Sequence, residues 1–254
     1  MVKISMLMNI STFKRIHFKD ITLLIILFAL LCGFIKKTIY VLIIVLLHEF
    51  GHVLICKLFR YKIISIDIYP FGGITKIDKH LNDSFLHDVL LASGGIIVQL
   101  IILLLGKINI INNYYLLDIN YKILIFNLLP IIPLDGSKIV FELVNKVTSF
   151  YNSIYIYTII SFISIFLFVY FNKDNLFDNY VIIGLFIQKT VEIYRNRHLL
   201  INKFILERKL YKLSFNYIKY QNIDPKNYHK DTKYYYNFND VVVDDYEYLN
   251  NMIK

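Results

Sequence analysis

Long apolar runs separated by short polar stretches dominate the chain, and their lengths set the first expectation. Runs at 39–59, 85–105 and 151–171 approach the ~20 residues that cross a bilayer core, and those at 21–35 and 180–194 are shorter. Another begins near Tyr121 and is interrupted at Pro130 and Pro133. The pattern predicts an all-α integral membrane protein of about six transmembrane helices, the fourth broken at Pro130/Pro133. Between the second and third runs, Ser65-Ile66-Asp67-Ile68-Tyr69 alternates, and Pro70-Phe71-Gly72-Gly73 follows. A period of two closed by turn residues predicts a small β-hairpin after the second helix.

Charge orients these spans. Lys3, Lys14, Arg15 and Lys19 precede the first run, Arg60, Lys62, Lys76 and Lys79 follow the second, and Lys138 and Lys146 follow the fourth. The stretch from Arg195 onward is also rich in Lys and Arg, whereas the opposite loops hold only Lys36, Lys37, Lys107 and Lys173. Cations collect on the cytosolic side of a membrane protein, so both termini are expected there. Polar groups in the C-terminal halves of spans two and four then lie toward the cytosol. No small-residue cleavage site follows the first run, which reads as an uncleaved span. The expected organisation is a basic N-terminus at 1–20, a six-span domain at 21–194 and a Lys/Tyr/Asn-rich cytosolic tail at 195–254.

Composition narrows the function classes. Hydrophobic residues are 57% and charged residues 19%, and the mean hydropathy is +0.53, which excludes disorder for most of the chain. The net charge of +9 is spread around the spans, where it meets anionic headgroups of the lipid bilayer, so nucleic acid is not an expected partner. Cys32 and Cys56 both lie within apolar runs and offer neither a disulfide framework nor a cysteine zinc site.

The chemistry sits inside the second span, at His48-Glu49-Phe50-Gly51-His52. Imidazoles at i and i+4 share one helix face and can chelate one metal ion. Zinc suits imidazole and carboxylate donors with one open position, and it acidifies a water that Glu49 can deprotonate before passing the proton to a leaving amine. Ionisable residues in a span are costly and mark function, although buried histidines bonded to neighbouring backbone are the plainer alternative. A third ligand is still required. Position 58 is Leu58, and the next glutamate after Glu49 is Glu142, which leaves His80, His87 and Asp135. Asp135 follows Asn127-Leu-Leu-Pro130-Ile-Ile-Pro133-Leu134, where paired prolines break the helix at membrane depth, as is tolerated only beside a polar cavity. Asp135 either joins the metal or caps a new helix.

These two motifs together resemble the signature of the site-2 protease family, the intramembrane zinc metalloproteases of peptidase family M50. The resemblance implies one Zn2+ held by His48, His52 and Asp135, with Glu49 as general base. It further implies that Asn127 positions the substrate or polarises the scissile carbonyl. Within the family, the compact layout and Pro70-Phe71-Gly72-Gly73 look most like the stage IV sporulation protein FB branch. That branch implies a membrane-associated pro-protein substrate cut near the cytosolic face, a pro-sigma-K-like factor, in the mother-cell membrane around the forespore, with inhibitory membrane partners. Ser137-Lys138 replaces the branch's usual glycine and arginine, and the tail is too short for its CBS domain, so none is assigned and nucleotide binding is not carried over.

Two further expectations concern substrate access and packing. The hairpin edge could accept a substrate strand by main-chain hydrogen bonds. Ala92-Ser93-Gly94-Gly95 suits close helix contact, with Gln99 a turn later. Other readings are a site-2 protease acting on anti-sigma factors or signal-peptide remnants, and a non-hydrolytic metal-binding membrane protein or transporter. A transporter should show paired internal repeats, and none is visible.

Overall fold

The computed structural model describes residues 16–18, 20, 24, 27, 28, 31–69, 72–173, 176–238 and 241–251. The basic stretch at 1–15, most of the run at 21–35 and the Pro70-Phe71 pair lie outside the described residues. The chain divides into two compact units, Met1–Lys79 with Leu90–Leu128, and His80–Val89 with Leu129–Lys254.

The first unit contains β1 (Ile16–Phe18), α1 (Ile35–Leu58), β2 (Lys62–Tyr69), β3 (Gly72–Asp78), most of α2 (Phe85–Lys107) and α3 (Tyr114–Leu128). The alternating stretch forms the expected hairpin: β2 and β3 pair antiparallel from Lys62 opposite Asp78 to Tyr69 opposite Gly72, with an irregularity between Ile63 and Ser65. β1 pairs parallel with the other side of β2, leaving β3 at the edge of the sheet. Val53, Cys56, Ile63, Ile66 and Leu91 close one apolar cluster, and Ile44, Ile102 and Ile119 another.

Burial on α1 runs opposite to that of a water-soluble helix. His48, Glu49 and His52 are buried, whereas Leu46, Leu47, Phe50 and Leu58 are exposed. In water that arrangement would waste apolar surface, but in lipid it hides the costly polar groups and leaves hydrocarbon outside. Gly51 and Gly94 let the backbones of α1 and α2 meet, since a Cβ on Gly51 would overlap the Gly94 carbonyl. Small residues serve close helix contact in this way.

The second unit holds α4 (Asp135–Val147), α5 (Phe150–Phe171), α6 (Leu176–Arg195), α7 (Arg197–Leu210), β4 (Tyr217–Tyr220), β5 (Thr232–Phe238), β6 (Val241–Asp244) and α8 (Asp245–Asn251). Along α5 the burial is again inverted: Ser153, Thr158 and Ser161 are buried and Phe162, Ile163 and Phe166 are exposed. The Ser161 hydroxyl accepts from the Ile132 amide at 3.0 Å and pairs with Thr190 of α6 at 3.0 Å, a polar join between helices that lipid cannot satisfy.

By length and composition, α1, α2 and α5 are the described helices able to cross a membrane. The helix α3 has 15 residues, and α6 carries Gln188, Lys189, Glu192 and Arg195 in its last two turns. The molecule is mostly helical rather than all-α, because a second three-stranded sheet, in the order β4-β5-β6, forms within the region expected to be a simple tail. Burial along β5 alternates: Thr232, Tyr234 and Tyr236 are buried, while Lys233, Tyr235 and Asn237 are less so. Composition hid this strand, since tyrosine supplies an apolar body with a polar tip. Tyr228, Tyr234, Tyr236, Phe150, Phe204 and Leu249 make the core, with Phe150 stacked on Phe204 at 4.1 Å.

Arg208 is the polar centre of this core. It is 1% exposed and donates to the Asp245 carboxylate at 2.8 Å, to Asn82 at 2.6 Å, and to the carbonyls of Thr232 at 2.8 Å and His229 at 2.7 Å. Beside it, Glu207 accepts from the Leu81 amide at 2.7 Å, so the tail grips the segment ahead of α2. Breaking a buried pair leaves a charge stranded, so Arg208→Met is expected to cost about 3–5 kcal/mol. A lowered thermal midpoint, with new proteolytic sites confined to 211–251, would be the readout.

Candidate metal centre

The i,i+4 spacing on α1 brings the two imidazoles together, with ring centroids 4.9 Å apart and Nε2 atoms 3.1 Å apart. Their other nitrogens are already committed. His48 Nδ1 donates to Gln99 Oε1 at 3.1 Å, and His52 Nδ1 donates to the Leu91 carbonyl at 2.7 Å. Each Nε2 thus faces the other, an arrangement that one shared cation would suit. Outer partners that fix tautomer and ring orientation are what metal-bound histidines require. The donor set fits zinc.

Glu49 is equally constrained. Its Oε1 accepts from the Gly73 amide at 3.1 Å and its Oε2 from the Thr75 hydroxyl at 2.9 Å, both on β3. The hairpin thus holds the carboxylate beside the histidine pair. Two glycines make room: a Cβ on Gly73 would overlap the Glu49 carboxyl group, and one on Gly95 would overlap the His48 ring. Packing alone is the expected role of the Ala92–Gly95 stretch, yet Gly95 also clears space for a ligand.

Asn120 is a residue that sequence reasoning missed. It is fully buried in α3 and donates to the Gln99 backbone carbonyl at 2.9 Å. Its Oδ1 and the Gln99 Nε2 are buried without a partner, a complementary acceptor and donor that one bridging water would satisfy. An asparagine among the apolar turns of α3, which also carry Asp118 and Lys122, was the available signal. Asn127 lies in the last turn of the same helix, partly buried.

In the second unit, helix α3's successor begins at Asp135 after the non-helical 129–134. Leu134 occupies the cap position and no side chain caps the helix, so Asp135 is not spent in that role. Its carboxylate is 4% exposed and accepts from Lys138 Nζ at 2.8 Å, with the positive end of the helix dipole favouring its charge. His80 instead faces Glu207 at 3.9 Å and packs on Tyr211. His48 and His52 are buried in the first unit, and Asp135 is buried in the second.

Peptidase family M50 matches this sequence over residues 105–171, a stretch that includes Asn127 and Asp135. Stage IV sporulation protein FB of Bacillus subtilis is 29% identical over 204 residues, covering 76% of this chain and 71% of that protein. Across residues 105–171 the chain is similar to peptidase family M50. A zinc metalloprotease of Methanocaldococcus jannaschii is 32% identical over 110 residues, 40% of this chain and 32% of that protein. A solved site-2 protease from the same archaeon aligns with a TM-score of 0.48 at 22% identity, over 74% of this chain and 90% of that one.

The geometry separates metal loss from loss of the base. Gln99→Leu removes the acceptor that orients His48 and is expected to weaken zinc binding about 10–100-fold by competition with a chelator. Gly95→Ala should lower bound zinc as well, because the ring must move. Gly73→Ala should leave zinc content unchanged while reducing peptide hydrolysis, since only Glu49 is displaced.

Proposed function

We propose that the chain is an intramembrane zinc endopeptidase that cuts a membrane-associated pro-protein near the cytosolic face. The observation that carries this reading is the pair of facing Nε2 atoms on α1, 3.1 Å apart, with both Nδ1 protons held elsewhere. His48, His52 and Asp135 would hold the ion. Zinc supplies a Lewis acid that polarises a carbonyl and lowers the pKa of water. Glu49 takes the proton as the water oxygen bonds to the scissile carbon, then delivers it to the amide nitrogen as the C–N bond breaks. The β3 contacts hold the Glu49 carboxylate in one orientation for both transfers. The Asn127 carboxamide would donate to the substrate carbonyl and hold it in line.

Similarity to a stage IV sporulation protein supports a substrate from sporulation, a pro-sigma-K-like factor. The Lys/Arg asymmetry supports a multi-pass chain with both termini cytosolic, and the family resemblance extends the reading to the mother-cell membrane around the forespore and to inhibitory membrane partners. β3, at the edge of its sheet, offers main-chain groups to a locally extended substrate strand.

Co-expression with a tagged pro-sigma factor tests the reaction. Glu49→Gln should slow processing by about 10²–10⁴-fold while keeping zinc, and equal processing by both proteins would remove Glu49 as the base. Metal analysis tests the ligands: zinc per chain should fall in Asp135→Ala and nearly vanish in the His48→Ala/His52→Ala double variant. Unchanged zinc in these variants would relocate the metal.

A further inference from the structure

Gln99 and Asn120 are a pair of buried carboxamides one step removed from His48. All three residues belong to the first compact unit, and both amide side chains are 0% exposed. On α2, Leu91, Gly95 and Gln99 recur at intervals of four and so share a face. That face serves the histidine pair. The Leu91 carbonyl meets His52, Gly95 yields volume to the His48 ring, and Gln99 Oε1 lies 3.1 Å from His48 Nδ1. Asn120 enters from α3, where its Nδ2 donates to the Gln99 backbone carbonyl at 2.9 Å. Ile102 and Ile119, close to the two amides in sequence, pack with Ile44 in an apolar cluster, and a polar atom left over in such surroundings is costly.

The two ends of a carboxamide have the same shape and opposite chemistry, so its partners decide which way it faces. A backbone carbonyl only accepts, which fixes Asn120: Nδ2 faces Gln99 and Oδ1 remains an acceptor. Gln99 is not fixed by its histidine, because a ring nitrogen either donates to an oxygen or accepts from an amide NH2. Its orientation is set at the other end. There Nε2 is buried with no hydrogen-bond partner among the described residues, and so is Asn120 Oδ1. One water within reach of both accepts from Nε2 and donates to Oδ1. Turned over, Gln99 would set two oxygens against that water and give it nothing to accept.

We propose that Asn120 is a positioning residue of the metal centre: through one buried water it holds the Gln99 carboxamide with Oε1 toward His48, which keeps the ring proton on Nδ1 and leaves Nε2 for an ion. The proposal rests on the metal reading given above, but its first consequence, the tautomer of the ring, belongs to the metal-free chain.

The test uses the full chain in detergent, stripped of metal by a chelator at alkaline pH, with histidine labelled by the heavy nitrogen isotope. Ring nitrogen shifts report the tautomer, and His48→Ala identifies the His48 signals. The wild type should carry the His48 proton on Nδ1. Asn120→Leu should move His48 toward the Nε2-protonated form and leave His52 unchanged, because the Leu91 carbonyl fixes that ring independently. Co2+ affinity should fall about 3–10-fold in Asn120→Leu, less than in Gln99→Leu. In a Gln99→Leu background, Asn120→Leu should add no further loss, since Asn120 acts through Gln99. Ile119→Val, which thins the packing of the same helix without touching an amide, should leave tautomer and affinity as in the wild type. If Asn120→Leu does not fold, Asn120→Ala removes the same polar atoms at smaller volume and decides on the same readouts. An unchanged His48 tautomer in the deciding variant would overturn the assignment, as would equal changes in Ile119→Val or additive losses with Gln99→Leu. A wild-type chain that shows the expected tautomer and binds no Co2+ would remove the metal reading and this role with it, whereas unchanged tautomers beside tight Co2+ binding would remove Asn120 alone.

Discussion

Two imidazoles on one apolar helix bring their Nε2 atoms to 3.1 Å from each other, and both Nδ1 atoms face oxygen acceptors. Within a span such a polar contact is costly, and a shared cation would suit both nitrogens. Much of the first unit serves this constraint. Gly94 and Gly51 bring α2 close enough for Gln99 and Leu91 to reach the rings, Gly95 clears the volume of His48, and β3 takes both oxygens of Glu49.

The chain builds two kinds of interior. Along α1 and α5, polar groups turn inward and hydrocarbon faces outward, as lipid demands. In the tail, tyrosine rings stack inward, Tyr228 on Tyr234 at 4.8 Å and Tyr236 on Tyr248 at 3.9 Å. Their hydroxyls find partners, Tyr228 with Tyr236 and Tyr236 with the Ile223 carbonyl. Burial by itself pushes the Lys230 amine down, but the Glu142 and Asp88 carboxylates outweigh it and hold the amine above the usual lysine range. Arg208, Lys230 and Asp245 are buried structural ties, whereas Lys203, Lys212, Lys219 and Lys226 are exposed.

Legibility followed the strength of local patterns. The His48/His52 pair was readable because i,i+4 spacing is set by helix geometry alone. The hairpin was readable because Ser65 to Tyr69 alternates. The sheet of the tail was not, although Thr232 to Asn237 alternates in burial, because tyrosine and lysine join an apolar body to a polar tip and show no clear apolar alternation in the sequence. Asn120 was missed for a different reason: its partner, the Gln99 backbone carbonyl, is 21 residues away, and nothing local marks that meeting.

From the residues alone came the apolar spans, the chelating pair, the base between its members and the aspartate after the proline-broken stretch. These are statements about periodicity and about side-chain chemistry, which the chain carries wherever it folds. Tertiary structure decided which atoms orient the rings, which strand holds Glu49, why Gly73 and Gly95 must lack a side chain, and that Lys230 joins Asp88 to Glu142 across 142 and 88 residues. Contacts of that kind depend on where separate elements pack, and no local spacing encodes them.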